Sequence, residues 1–159
     1  LMGYSMGGRI AAGLLTHHPE RFSSVVLAGV GGGIVGQRLG AESIARALEA
    51  TDASTIDDAS ARAFRQFAEL NRNDRLALAA CMRGLGSGTV TADELRQARL
   101  PVLIVVGEDD SLVGNPRALV DLIPGSRLVI VPGRDHLTAV GDRRYKEAVL
   151  EFLATDAHR

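Results

Sequence analysis

At 159 residues the chain has the length of one domain, enough to bury one proper hydrophobic core. Apolar residues at 46% and charged ones at 23% exclude a disordered chain, and 18 basic residues against 19 acidic give no electrostatic ground for a nucleic-acid or anionic-membrane partner. A single cysteine, Cys81, excludes an internal disulfide or a cysteine-rich zinc site, and no two of the four histidines have metal-ligand spacing on a helix.

The predicted elements alternate in type. Residues 7–18 lack strong breakers and stop at Pro19, which predicts a helix buried along Ile10, Ala11, Leu14 and Leu15. Residues 24–28 read as a strand without polar alternation after Ser24, as in a parallel sheet covered on both faces. A glycine-rich loop runs from Gly29 to Gly36. Together with the strand it makes the longest apolar run, too short and glycine-rich to span a bilayer. From 37 to 98 the text turns alanine- and charge-rich, predicting a helical insertion. Ile44 and Leu48 form one face there, and Phe64, Phe67 and Leu70 a second. A third apolar segment runs from Leu76 to Met82, with Cys81 as a core residue. Thr91 and Glu94 have capping-box spacing.

The run PVLIVV, 101–106, predicts a second buried strand. A helix over 116–123, a strand over 127–131 and a final amphipathic helix on Tyr145, Ala148, Val149, Phe152 and Leu153 follow. Strands alternating with helices mean an α/β layer with a parallel sheet flanked by helices.

Gly3-Tyr4-Ser5-Met6-Gly7 fits G-x-S-x-G directly before the first helix. A serine on a sharp strand-to-helix turn needs small neighbours two residues away on each side. Its position at a helix N-terminus lets the Met6 N–H face a developing oxyanion. A nucleophilic serine also needs a base, and the base an orienting carboxylate. Asp110 and the adjacent Asp109 follow the PVLIVVG strand, and His136 follows the RLVIV strand and the Pro132-Gly133 turn. Both positions lie past strand C-termini, where open α/β sheets place their sites. Asp135 is discarded as the partner, because sequence neighbours rarely converge.

GYSMGGRIA, PVLIVVGEDD and VPGRDHL resemble the nucleophile, acid and histidine segments of the serine α/β-hydrolases, in particular small bacterial esterase- or lactonase-like members. The order Ser5, Asp110, His136 is that family's order. The resemblance implies a Ser5–His136–Asp110 triad, with Asp110 chosen over Asp109 because the family's acid lies three residues after the strand-ending glycine. It implies a hydrolase core over 1–36 and 99–159, with 37–98 as a helical cap insertion, and Phe64 and Phe67 as candidate pocket residues. It further implies cofactor-free cleavage of a small-molecule carboxylic ester or lactone in the cytoplasm. The family's first four strands have no counterpart here, so the expected object is the C-terminal part of the fold. In that case the helix at 7–18 and the strand at 24–28 are partly uncovered, and one oxyanion donor stands where the family uses two. Such a piece is expected to be aggregation-prone and nearly inactive alone.

Three alternatives compete. Arg9, four residues after Ser5, reads either as a structural arginine or as an anion-binding group. In the latter form GYSMGGR resembles the pyruvate-eliminating lyases of the menaquinone pathway on the same fold. An inactive fragment or binding module is the non-enzymatic reading. Gly31 to Gly36 formally spells G-x-G-x-x-G, but no second strand ending in an acid follows, which disfavours a dinucleotide site. His17 and His18, before Pro19, read as residues at a helix C-terminus, and His158 as part of a frayed tail.

Overall fold

A computed structural model describes residues 1–35, 40–84 and 90–156. The chain divides into two compact units, one formed by 1–36 with 89–159 and the other by 37–88.

The first unit is built on four parallel strands in the order β1 (Met2–Tyr4), β2 (Val25–Ala28), β3 (Val102–Gly107) and β4 (Arg127–Val131). Side chains alternate across the sheet, so each strand feeds two cores. Val25, Leu27, Val102 and Ile104 face one way. They pack with Ala11, Ala12 and Leu15 of α1 (Met6–His17), Leu95 of α5 (Ala92–Arg96), and Leu119 of α6 (Pro116–Leu122) with Ile123 beyond it. Val26, Ala28, Leu103, Val105 and Val131 face the other way, onto Tyr145, Val149 and Phe152 of α7 (Arg143–Asp156). β2 and β3 are buried at every residue, as their unbroken apolar runs require.

Helix starts follow their local chemistry. Asn115 caps α6 through Oδ1 to the Arg117 N–H at 3.0 Å, with Pro116 in the first turn. The Thr91–Glu94 capping box is formed: the Glu94 N–H donates to Thr91 Oγ1 and the Thr91 N–H to Glu94 Oε2. His17, at the end of α1, lies 3.4 Å from that same Glu94 carboxylate.

The second unit packs α2 (Ala41–Glu49), α3 (Ala59–Leu70) and α4 (Arg75–Gly84) around Ile44, Leu48, Ala61, Ala68, Ala79 and Met82. Arg65 is buried there with its charge paired and hydrogen-bonded. Its Nη1 donates to the Ala47 and Ala50 carbonyls at the end of α2, and its Nε to Glu69 Oε1 at 2.6 Å.

Five expectations change. The compact insertion ends at 88 rather than 98, because Leu95 and Ala98 are buried in the first unit's core. β2 is not left with a bare edge, since Met2, Gly3 and Tyr4 pair with Val26, Leu27 and Ala28. Ile10 on α1 stands 57% exposed, outside the buried face formed by Ala11, Ala12 and Leu15. The buried face of α3 is Ala61, Arg65 and Ala68, while Phe67 and Leu70 are 44% and 84% exposed. The two faces are one residue apart, about 100° around the helix, and the buried one places Ala61 and Ala68 with Ile44, Leu48 and Ala79. Cys81 is exposed, with Ala79 and Met82 forming the buried side of α4. Gly36 and His158 lie outside the described residues.

Candidate active site

Ser5 stands between β1 and α1 with φ 54° and ψ −111°, a backbone region that non-glycine residues rarely occupy. Its N–H donates to the Ala28 carbonyl at 2.8 Å, fixing the turn to the end of β2. A serine at a helix N-cap ordinarily accepts a hydrogen bond from the first-turn amides. Ser5 makes no such cap bond. Its Oγ lies instead 2.7 Å from His136 Nε2.

The turn is tight because the glycines let backbones touch. A Cβ on Gly3 would lie 2.0 Å from the Gly7 carbonyl oxygen, and one on Gly8 would lie 2.9 Å from the Ala28 carbonyl oxygen. At Gly7, by contrast, an added Cβ meets nothing within 4 Å. The second sterically required glycine is thus Gly8, not Gly7 as the motif suggests. Gly8 is the residue that faces β2.

His136 and Asp110 arrive on two loops that hold each other. The Asp109 N–H donates to the Arg134 carbonyl at 3.0 Å, the Glu108 N–H to the Val131 carbonyl at 2.9 Å, and the Gly133 N–H to the Glu108 carboxylate at 3.0 Å. Asp110 is turned back under the sheet end by its own N–H to the Gly107 carbonyl. Its Oδ2 lies 2.7 Å from His136 Nδ1, and its Oδ1 accepts from the Leu112 N–H at 3.1 Å. Both side chains are buried, Asp110 completely. A buried carboxylate facing Nδ1 sets the tautomer: Nδ1 carries the proton, and Nε2 is left as an acceptor for the Ser5 hydroxyl.

The neighbouring acids do other work. Asp109 is exposed. Asp135 Oδ1 accepts from the Leu137 and Thr138 N–H groups and the Thr138 hydroxyl, closing the turn after His136. These bonds, led by the Thr138 hydroxyl and amide, hold the Asp135 carboxyl below the usual aspartate range.

Met6 follows Ser5 in the first turn of α1, where amides lack intrahelical acceptors. Arg9 lies one turn further. Its guanidinium donates to the Gly33 and Ile34 carbonyls, tethering the loop after β2. Phe64 and Phe67 belong to the second unit, where Phe64 packs partly against that unit's core. Gly32–Ile34 form a 3₁₀ turn rather than the helix start that a phosphate loop needs. Sequence reasoning missed Tyr4, whose hydroxyl donates to the His136 carbonyl at 2.6 Å. No periodicity or motif signals a bond between residues 132 apart.

A parallel sheet bearing a serine on a positive-φ strand-to-helix turn, with an acid and a histidine past two later strand ends, defines the α/β class with a nucleophile elbow. The sequence model of the Alpha/beta hydrolase family matches residues 1–151, and the chain belongs to that family. A curated relative from Bacillus subtilis (strain 168), named "Putative 2-succinyl-6-hydroxy-2,4-cyclohexadiene-1-carboxylate synthase", is 28% identical over 181 aligned residues, which cover 98% of this chain and 65% of the relative. A hydrolase from Pseudomonas aeruginosa PA01 superimposes with a TM-score of 0.72 at 25% identity, over 97% of this chain and 64% of that one. In fold alone, the enol-lactonase from Burkholderia xenovorans LB400 is also similar, with a TM-score of 0.74 at 19% identity over 96% and 64% of the two chains. The chain therefore spans just under two thirds of the length of these relatives.

Proposed function

We propose that this site is that of a serine hydrolase acting on a small carboxylic ester or lactone. The observation that carries the reading is the His136 imidazole held between Ser5 Oγ and Asp110 Oδ2, 2.7 Å from each. As Ser5 attacks the substrate carbonyl, His136 Nε2 takes the hydroxyl proton and the imidazole becomes a cation. Asp110 holds the ring and stabilises that charge. The Met6 N–H donates to the oxyanion of the tetrahedral intermediate. His136 then returns the proton to the leaving alkoxide, giving an acyl-Ser5 ester. A water deprotonated by His136 releases the acid and restores Ser5. With the substrate and that water, the protons balance through His136 alone: it takes one from Ser5 and then one from water, and returns them to the leaving alkoxide and to Ser5.

The test is labelling by a fluorophosphonate probe, with the site read by peptide mass spectrometry, alongside turnover of p-nitrophenyl esters. Labelling confined to Ser5 and abolished in S5A is the expected result. A folded chain that neither labels nor turns over ester favours the binding-module reading.

The relative from Bacillus subtilis favours a second reading, pyruvate-eliminating lyase chemistry at the same residues. Arg9 would then serve as an anion-binding group near Ser5, in place of its bonds to the Gly33 and Ile34 carbonyls. Pyruvate release, followed through lactate dehydrogenase, separates the two readings. An ester hydrolase releases acid and alcohol but no pyruvate.

A further inference from the structure

We propose that Tyr4 is a positioning residue for the His136 imidazole, gripping the main chain of the base from the residue next to the nucleophile. The proposal deepens the serine-hydrolase reading and rests on it for its kinetic consequence. Three contacts carry it. The Tyr4 hydroxyl donates to the His136 carbonyl at 2.6 Å. The Tyr4 and His136 rings lie 5.5 Å apart between centroids, tilted by 44°, so the phenol also walls the imidazole. The Tyr4 ring is itself clamped. The Tyr145 ring meets it in an edge arrangement at a centroid distance of 6.1 Å, and the Gly29 backbone stands close beside it. A Cβ on Gly29 would come within 2.9 Å of the ring's Cζ, so only glycine leaves room for the phenol there.

The arrangement follows from alternation along β1. Gly3 faces α1 at backbone contact, and Tyr4 points to the opposite face of the sheet, where it joins the core under α7. Ser5 then leaves the strand. Two consecutive residues thus hold one histidine at two points: Ser5 at the imidazole Nε2, and Tyr4 at the main-chain carbonyl. Burial and the negative charges of Asp110 and Asp135 push the Tyr4 hydroxyl up from its ordinary range, so it stays a proton donor wherever the site works. His136 sits on a loop, and loops hold catalytic geometry less well than strands do. The Tyr4 bond transfers the rigidity of β1 to that loop.

The experiment compares the wild type with Y4F, which keeps the ring and removes only the hydrogen bond. The direct readout is the imidazole Nδ1–H resonance of His136 by NMR, and the kinetic readout is the rate of Ser5 labelling by fluorophosphonate. The expected results are a broadened, faster-exchanging resonance and labelling slowed about three- to tenfold, with ester KM unchanged. A His136 resonance equally sharp in Y4F, with unchanged labelling, overturns the proposal. Wild-type protein that never labels overturns the hydrolase reading, while the resonance comparison still decides the role of Tyr4. Should Y4F fail to fold, 3-fluorotyrosine placed at position 4 supplies a stronger donor of nearly the same shape. Slower exchange of the His136 proton then supports the proposal, and unchanged exchange counts against it.

Discussion

Gly107 and Arg134 lie backbone against backbone: a Cβ on Gly107 would stand 2.1 Å from the Arg134 carbonyl oxygen. That contact lets the loop carrying His136 close over the end of β3, beside the turn that presents Asp110. Backbone cannot move aside as a flexible side chain can. G107A is expected to cost about 3 kcal/mol or more, measured by urea unfolding, and to reduce Ser5 labelling more than its loss of stability alone explains.

The two glycines around the elbow give opposite outcomes. G3A places its methyl 2.0 Å from the Gly7 carbonyl oxygen and should unfold the turn or the chain. G7A meets open space inside a helix, so it should stabilise by about 0.5–1 kcal/mol. Thermal unfolding of the two variants side by side checks the sign of each.

Ser5 holds a strained backbone, which costs about 1–3 kcal/mol in a non-glycine residue. S5G removes that strain and adds glycine's entropic penalty of about 0.5–1 kcal/mol. The variant should therefore be at least as stable as the wild type and devoid of ester turnover. A clear fall in its unfolding midpoint would contradict stored strain at this position.

D110N keeps the size of the side chain but removes the charge that faces His136 Nδ1, and its amide can favour the wrong tautomer. Turnover is expected to fall about 10³–10⁴-fold, whereas D109N, at an exposed position, should stay within about twofold of wild type. Steady-state kinetics with a p-nitrophenyl ester measures both.

Asp135 supplies an acid-sensitive latch on the turn after His136. Its folded carboxyl sits below the ordinary aspartate value because it accepts hydrogen bonds from Thr138 and Leu137. A depressed carboxylate contributes stability that is complete above the unfolded value of about 3.9 and is lost as pH falls through the folded value. Exchange of the Leu137 and Thr138 amides should therefore stay protected down to about pH 4 and accelerate below it. Protection that vanishes well above pH 5 would mean that the carboxylate does not close this turn.

The sequence by itself determined the α/β alternation, the parallel sheet, the elbow and the order of Ser5, Asp110 and His136. Buried strands such as VLIVV and turn-forming glycines act locally, so their signal lies within a few residues of text. It also placed the capping box at Thr91, since a cap is settled by residues three apart. Tertiary structure decided what local text does not encode. It gave the choice of Asp110 over Asp109 its physical cause, a turn closed by the Gly107 carbonyl that buries Asp110 at His136 Nδ1 and leaves Asp109 exposed. It required small residues at Gly3 and Gly8 rather than at Gly7, because the obstacles are backbone atoms brought near by folding. It buried Ala61, Arg65 and Ala68 instead of Phe67 and Leu70, a rotation of about 100° set by the helices α3 packs against rather than by its own periodicity. And it joined Tyr4 to the carbonyl of His136 across 132 residues, a contact set by which face of β1 points toward α7.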